Sequence, residues 1–171
     1  VVDDSRIRRR PDGTVAEITS EFINTGSVKT NGLDIALAHS IDSSKFFDAV
    51  NLNFAATYIN EFEVQTNSSS AAFDGAGSRN FKNQFRSMPK IRGNLSVTFE
   101  KGAHTLSTQL RYIDDYENDQ SNTTIDSLVT LDGQYSTQLY KDTTRLSVGI
   151  KNIMDEDPPS LGANVRPGYD N

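Results

Sequence analysis

The side chains that could do chemistry are few. There are two histidines, His39 and His104, and a histidine works as a base only when a second reacting group lies within hydrogen-bond reach. Both fall in alternating segments beside short turns, where an interfacial or structural role is the plainer reading. No serine triad assembles around either. The chain has no cysteine, which excludes thiol nucleophiles, disulfide scaffolds and cysteine-based zinc sites. Gly75-Ala76-Gly77 lacks the third glycine of a dinucleotide fingerprint and does not join a strand to a helix, so it reads as a flexible loop. Two acidic groups, Asp114, Asp115, Glu117 and Asp119, then Asp155, Glu156 and Asp157, offer the carboxylate oxygens that Ca²⁺ takes. Neither has EF-hand spacing, and solvated acidic loops are expected instead. The sequence therefore points away from an enzyme, and no catalytic residue, cofactor or metal ligand is assigned.

Charge narrows the partners. A net charge of −6 is the wrong sign for phosphate backbones, and the basic run Arg6 to Arg10 is too short to reverse that. Nucleic acid is excluded as a partner. Hydrophobic residues make up 35% of the 171 residues, little for a globular core. No apolar run reaches the ~18 residues of a membrane helix. A transmembrane β-barrel would still escape a hydropathy scan, because its lipid-facing and lumen-facing residues alternate and average out.

Alternation is what the chain has. In Val50 to Val64, every second residue gives Val50, Leu52, Phe54, Ala56, Tyr58, Asn60, Phe62 and Val64, against Asn51, Asn53, Thr57, Glu61 and Glu63. Period two predicts a strand with one apolar face. Leu33 to Ile41, Ile91 to Glu100, His104 to Tyr116, Ile125 to Leu139 and Thr144 to Ile153 repeat the pattern, with exceptions such as Ile113 and Leu128. A soluble sandwich also alternates, but its strands usually run about 5 to 6 residues. Val50 to Val64 and Ile125 to Leu139 hold the pattern for about 15, or roughly 50 Å, where a tilted membrane strand needs about 9 to 11.

The connections alternate too. Lys101 to Ala103, Tyr140 to Thr143 and Asp42 to Asp48 are short, while Gln65 to Pro89 and Asp114 to Thr124 are long and polar. Short turns on one side and long loops on the other are the outer-membrane barrel pattern, with the long loops outside the cell. Earlier in the chain, Arg10 to Thr14 is a turn around Pro-Asp-Gly, and Asn24 to Ser27 is expected to be a bulge inside one inward strand from Val15 to Ile41.

These segments resemble the C-terminal part of a TonB-dependent receptor barrel. The matching features are Asn24 with Gly32-Leu33-Asp34, Thr57-Tyr58, Pro89-Lys90 followed by Arg92-Gly93-Asn94-Leu95, and Arg111-Tyr112 with Asp115. Lys151-Asn152-Ile153-Met154-Asp155-Glu156 before Pro158-Pro159, and Gly168-Tyr169-Asp170, complete the set. The resemblance implies an all-β, antiparallel transmembrane β-barrel fragment, about seven strands of a barrel of about 22. It implies that residues 1–171 are the C-terminal portion of that barrel, lacking the plug and the final strand. The intact protein would sit in the cell outer membrane and import a scarce nutrient, namely an iron chelate, cobalamin or oligosaccharide. Its partners would be outer-membrane lipid, the remainder of the barrel and plug, TonB acting through the plug, and the small-molecule or oligosaccharide ligand. A secreted soluble β-sandwich for binding or adhesion is the alternative.

Within the barrel reading, Arg92, Gln109, Arg111, Asp132 and Gln134 face the lumen. Possible ligand contacts are Arg79, Asn80, Phe81, Phe85, Arg111 and Tyr116, since substrate meets the outer loops first. Tyr58, Tyr112 and Tyr116 lie toward the outer strand ends, where an aromatic girdle is expected.

Overall fold

The structure is a computed structural model, and it describes residues 7–19, 26–42, 45–79, 87–118, 122–140 and 143–159. Among these, twelve strands occur and no helix. They are β1 (Ile7–Arg9), β2 (Val15–Ile18), β3 (Ser27–Asp42), β4 (Ala49–Gln65), β5 (Phe73–Asp74), β6 (Ser78–Arg79), β7 (Ile91–Lys101), β8 (His104–Ile113), β9 (Tyr116–Asn118), β10 (Thr123–Ile125), β11 (Leu128–Leu139) and β12 (Thr144–Ile150). The principal sheet runs β12-β11-β8-β7-β4-β3, every pair antiparallel and every neighbour next in chain order apart from the small strands. That is an up-and-down barrel wall. Among the described residues β3 and β12 each pair with one long strand only, so the wall they form is not closed.

Register turns the alternation into rows. Ile41, Val50, Phe99, Leu106, Tyr135 and Val148 stand side by side across all six long strands, and Leu37, Phe54, Leu95, Leu110 and Leu131 form a second row. Between them, pointing the other way, lie Ala38, Asn53, Ser96, Gln109 and Asp132. A sandwich would need a second sheet over the apolar face. Among the described residues none covers it: Leu37 is 59% exposed and Val148 61%. In lipid such a face is satisfied as it stands.

The apolar face does not continue up β4 as the simple alternation suggests. Asn31 pairs with Glu61 but Gly32 pairs with Ile59, leaving Asn60 as the extra residue of a β-bulge. One inserted residue moves every later side chain to the other face. Phe62 and Val64 therefore share a face with Thr57 and Asp34, while Glu61 and Glu63 join the face of Tyr58. Asn60 Nδ2 donates to Asn31 Oδ1 (2.8 Å) and Asn31 Nδ2 to Glu61 Oε2 (2.6 Å), which ties the bulge across the strands. Glycine is needed at position 32, because a Cβ there would run into the Tyr58 carbonyl oxygen. The bulge expected at Asn24 to Ser27 falls largely outside the described residues; β2 pairs with β1 in a hairpin of its own. The turn at Arg10 to Thr14 is closed by Gly13 N–H to Arg10 O (2.9 Å), with Gly13 at φ 87°.

Two further expectations are corrected. Ile125 to Leu139 and His104 to Tyr116 are not continuous strands; the first breaks at Asp126 and Ser127 and the second at Asp114 and Asp115. Their outer parts, β10 and β9, leave the principal sheet and join β6, which runs parallel to β9. Gly75-Ala76-Gly77 is not a flexible loop. Gly75 is buried and donates to the Phe62 carbonyl at 2.8 Å, Gly77 donates to Met88 at 2.6 Å, and Gly77 accepts from Glu117 at 2.9 Å. At φ 72° and with the Lys90 stem 3.1 Å from where a Cβ would lie, position 77 is also held by glycine.

Candidate functional site

The polar face of β7, β8 and β11 carries a row of hydrogen-bonding side chains. Register opposes Asn94 to Arg111 and Arg111 to Thr130, and one step nearer the turns Ser96 to Gln109 and Gln109 to Asp132. Arg111 Nη2 bonds Asp132 Oδ2 at 2.6 Å, and its Nε donates to Thr130 Oγ1 at 3.3 Å. The arginine side chain remains 48% exposed and the aspartate 19%, so the pair is reachable from the lumen side. At that exposure it orients Arg111 more than it stabilises the fold. On β3 and β4 the same face presents Asp34, whose carboxylate accepts the Thr57 hydroxyl at 2.6 Å. Two depressions open there. One of about 440 Å³ is lined by residues including Asp34, Thr57, Arg92, Asn94 and Arg111, and one of about 390 Å³ by Ser96, Gln109, Asp132, Gln134 and others.

Asp132 has a second task. Its Oδ1 accepts the Asn152 backbone N–H at 2.9 Å, just beyond the end of β12. Asn152 adopts φ 51°, and its side chain closes on Glu156 from both directions: Oδ1 accepts the Glu156 amide at 3.1 Å and Nδ2 donates to the Glu156 carbonyl at 3.0 Å. Ile153 N–H adds a bond of 2.7 Å to the Leu131 carbonyl. The last strand thus stops at Ile150, short of the expected Ile153; Asn152 and Ile153 still bond β11, and the acidic stretch turns back on Asn152. Asn tolerates this left-handed conformation better than most residues, the only local signal that could have marked Asn152 in advance.

The five residues expected in the lumen, Arg92, Gln109, Arg111, Asp132 and Gln134, do share one face. The expected ligand contacts are more dispersed. Arg111 lies on that face. Arg79 and Tyr116 are carried instead by the small outer sheet, where Arg79 pairs with Asn118. Tyr116 is 5% exposed and packs with Ile125, 2% exposed, so its ring fills a small core beside the buried Asn118. Asn80, Phe81 and Phe85 lie outside the described residues. Tyr112 Oη donates to Asp114 Oδ1 at 2.6 Å. Among the described residues no three acids or histidines converge on a metal-sized space.

The family described as TonB dependent receptor-like, beta-barrel, has a sequence model that matches residues 4–153. No curated protein and no solved structure matches the chain.

Proposed function

The chain belongs to the TonB-dependent receptor β-barrel family, whose members are outer-membrane transport receptors rather than enzymes, and on that premise we propose that it forms part of the wall of a nutrient-uptake receptor. It is the C-terminal portion of the barrel, its apolar face on lipid and its polar face lining the lumen beside the plug. The ligand is an iron chelate, cobalamin or an oligosaccharide. Its expected contacts are Arg79, Asn80, Phe81, Phe85, Arg111 and Tyr116, while TonB acts through the plug.

The observation that carries this reading is the outward face of apolar, glycine, threonine and tyrosine residues that runs across all six long strands below Asn60, broken by His39, Lys101 and His104 alone among the described residues. A soluble receptor domain gains nothing from leaving rows of leucine and valine open to water, whereas burial in lipid satisfies them. Spin labels in the intact receptor, reconstituted in bilayers, test it. A label at Leu95 is expected to be relaxed by oxygen dissolved in lipid, and a label at Asn94 by a water-soluble nickel chelate. Equal access of the nickel chelate to both positions would sink the assignment. Arg111→Ala is expected to weaken ligand uptake while leaving assembly of the barrel unchanged.

A further inference from the structure

Below the bulge, the lipid-facing positions of the six long strands are apolar, glycine, threonine or tyrosine, with three exceptions: His39, Lys101 and His104. Two of the three are direct cross-strand partners, Lys101 opposite His104, at the last pair of the β7–β8 hairpin. Aromatic rings surround them. Lys101 Nζ donates to the Phe46 carbonyl at 2.8 Å, and the next residue, Phe47, lies 4.9 Å from Phe99 centroid to centroid. His104 Nδ1 is 2.6 Å from the Tyr135 hydroxyl, and the two rings stack at 5.9 Å. With the tyrosine hydroxyl as donor to Nδ1, the imidazole carries its proton on Nε2, on the far side of the ring, and a doubly protonated ring carries one there as well. Of the described acids at this end of the sheet, Asp42 and Glu100 belong to the lumen face, and Asp48 keeps its charge but gives one carboxylate oxygen to the Gly102 amide at 2.6 Å.

An ammonium and an outward N–H donor, set at the end of an apolar band and flanked by aromatic rings, lie at the depth of lipid phosphates. We propose that Lys101 and His104, with Tyr135 orienting the imidazole, form a phosphate-binding site for a glycerophospholipid of the turn-side leaflet. The site is on the outside wall, away from the lumen residues, and rests on the reading that this wall faces lipid.

The test uses the intact receptor in bilayers that mix phosphatidylglycerol with a neutral glycolipid lacking phosphate, followed by mass spectrometry of the lipids retained on the released protein. Wild-type receptor is expected to retain phosphatidylglycerol above its share of the bilayer. Lys101→Gln is expected to lower that enrichment about fivefold, the effect of one cation near an anionic surface. His104→Gln lowers it less, and Tyr135→Phe lowers it without removing either phosphate-binding group. No enrichment in the wild type, or enrichment unchanged in Lys101→Gln and His104→Gln alike, overturns the proposal. The Leu95 label separates the two failures: if it stays lipid-accessible while enrichment is absent, the phosphate site is wrong and the wall assignment stands.

Discussion

The lower and upper halves of β4 follow opposite rules. From Val50 to Tyr58 the even-numbered residues face outward with Leu33, Leu37 and Ile91, and the odd ones carry Asn51, Asn53 and Thr57 on the lumen side. From Glu61 upward it is the odd residues that face outward. They are polar, with Glu63 paired to Lys29 at 3.8 Å, while Phe62 and Val64 are buried at 9% and 5% exposure on the other face. Asp74 Oδ1 caps the arrangement, taking the Phe62 amide at 2.9 Å. The same reversal of solvent thus appears on both faces at one residue, Asn60. A regular strand could not serve lipid below and water above without it.

The sharpest way to break this contrast is a charge on each face of the lower half. Leu95→Arg is expected to cost about 2–4 kcal/mol of barrel stability, as a cation near the bilayer midplane does. Asn94→Arg, one residue away on the lumen face, is expected to stay within about 0.5 kcal/mol. Equilibrium unfolding of the reconstituted receptor measures both, and equal costs would refute the assignment of faces.

Inserting one residue between Asn31 and Gly32 sharpens the contrast at its boundary. With Asn60 given a cross-strand partner the alternation runs on unbroken, so Phe62 and Val64 swing outward, losing about 1.5–3 kcal/mol of burial for each side chain. Amide exchange should then lose protection over Phe73–Arg79 but keep it over Ile91–Ile113, so loss of protection in both regions would mean the bulge is not local. A smaller effect is expected at the end of β12. Asp132→Ala frees the Asn152 amide, whose exchange should rise several-fold while that of Val148 is unchanged; an unaltered Asn152 would show that Ile153 alone holds the turn.

The smallest effect belongs to the β1–β2 hairpin, outside the principal sheet. The Thr14 hydroxyl (2.6 Å) and then the Thr14 amide (2.9 Å) donate to Asp12 and hold its carboxyl below the usual carboxylate range. A depressed folded-state value means that the unfolded chain takes up the proton first, so the contribution is complete above the usual carboxylate pKa. It is lost as pH falls through the lowered one. The Thr14 amide resonance should shift with acid in that window and cease to do so in Asp12→Asn.

What could be read from sequence follows the same division. The lower half is legible because two different solvents act on alternate residues, so Leu95 and Asn94 declare their faces by type alone. The lumen positions of Arg92, Gln109, Arg111, Asp132 and Gln134 follow from parity in the same way. The upper half is not legible, for physical reasons. Phe62 and Val64 resume the even-numbered spacing of Val50 to Tyr58 beyond Ile59 and Asn60, and only long-range pairing with Asn31 and Gly32 reveals the extra residue. β5 and β6 are two residues each, too short for any period, and Ser78 finds its partner Glu117 far along the chain. The turn at Asn152 depends on Asp132, a partner no local pattern names.

The bulge also has a consequence for recombination between receptors. Because Asn60 and Gly32 absorb the change of phase within one cross-strand pair, the outer segment from Asn60 through Pro89 can be exchanged as a cassette without altering the phase of the membrane band. A graft cut between Ile59 and Asn60, and between Asn31 and Gly32, leaves Tyr58 and Leu33 in place whatever follows. Grafts cut between Asn60 and Glu61 must bring a donor of matching phase, or they will turn the outer segment's buried side chains to the wrong face.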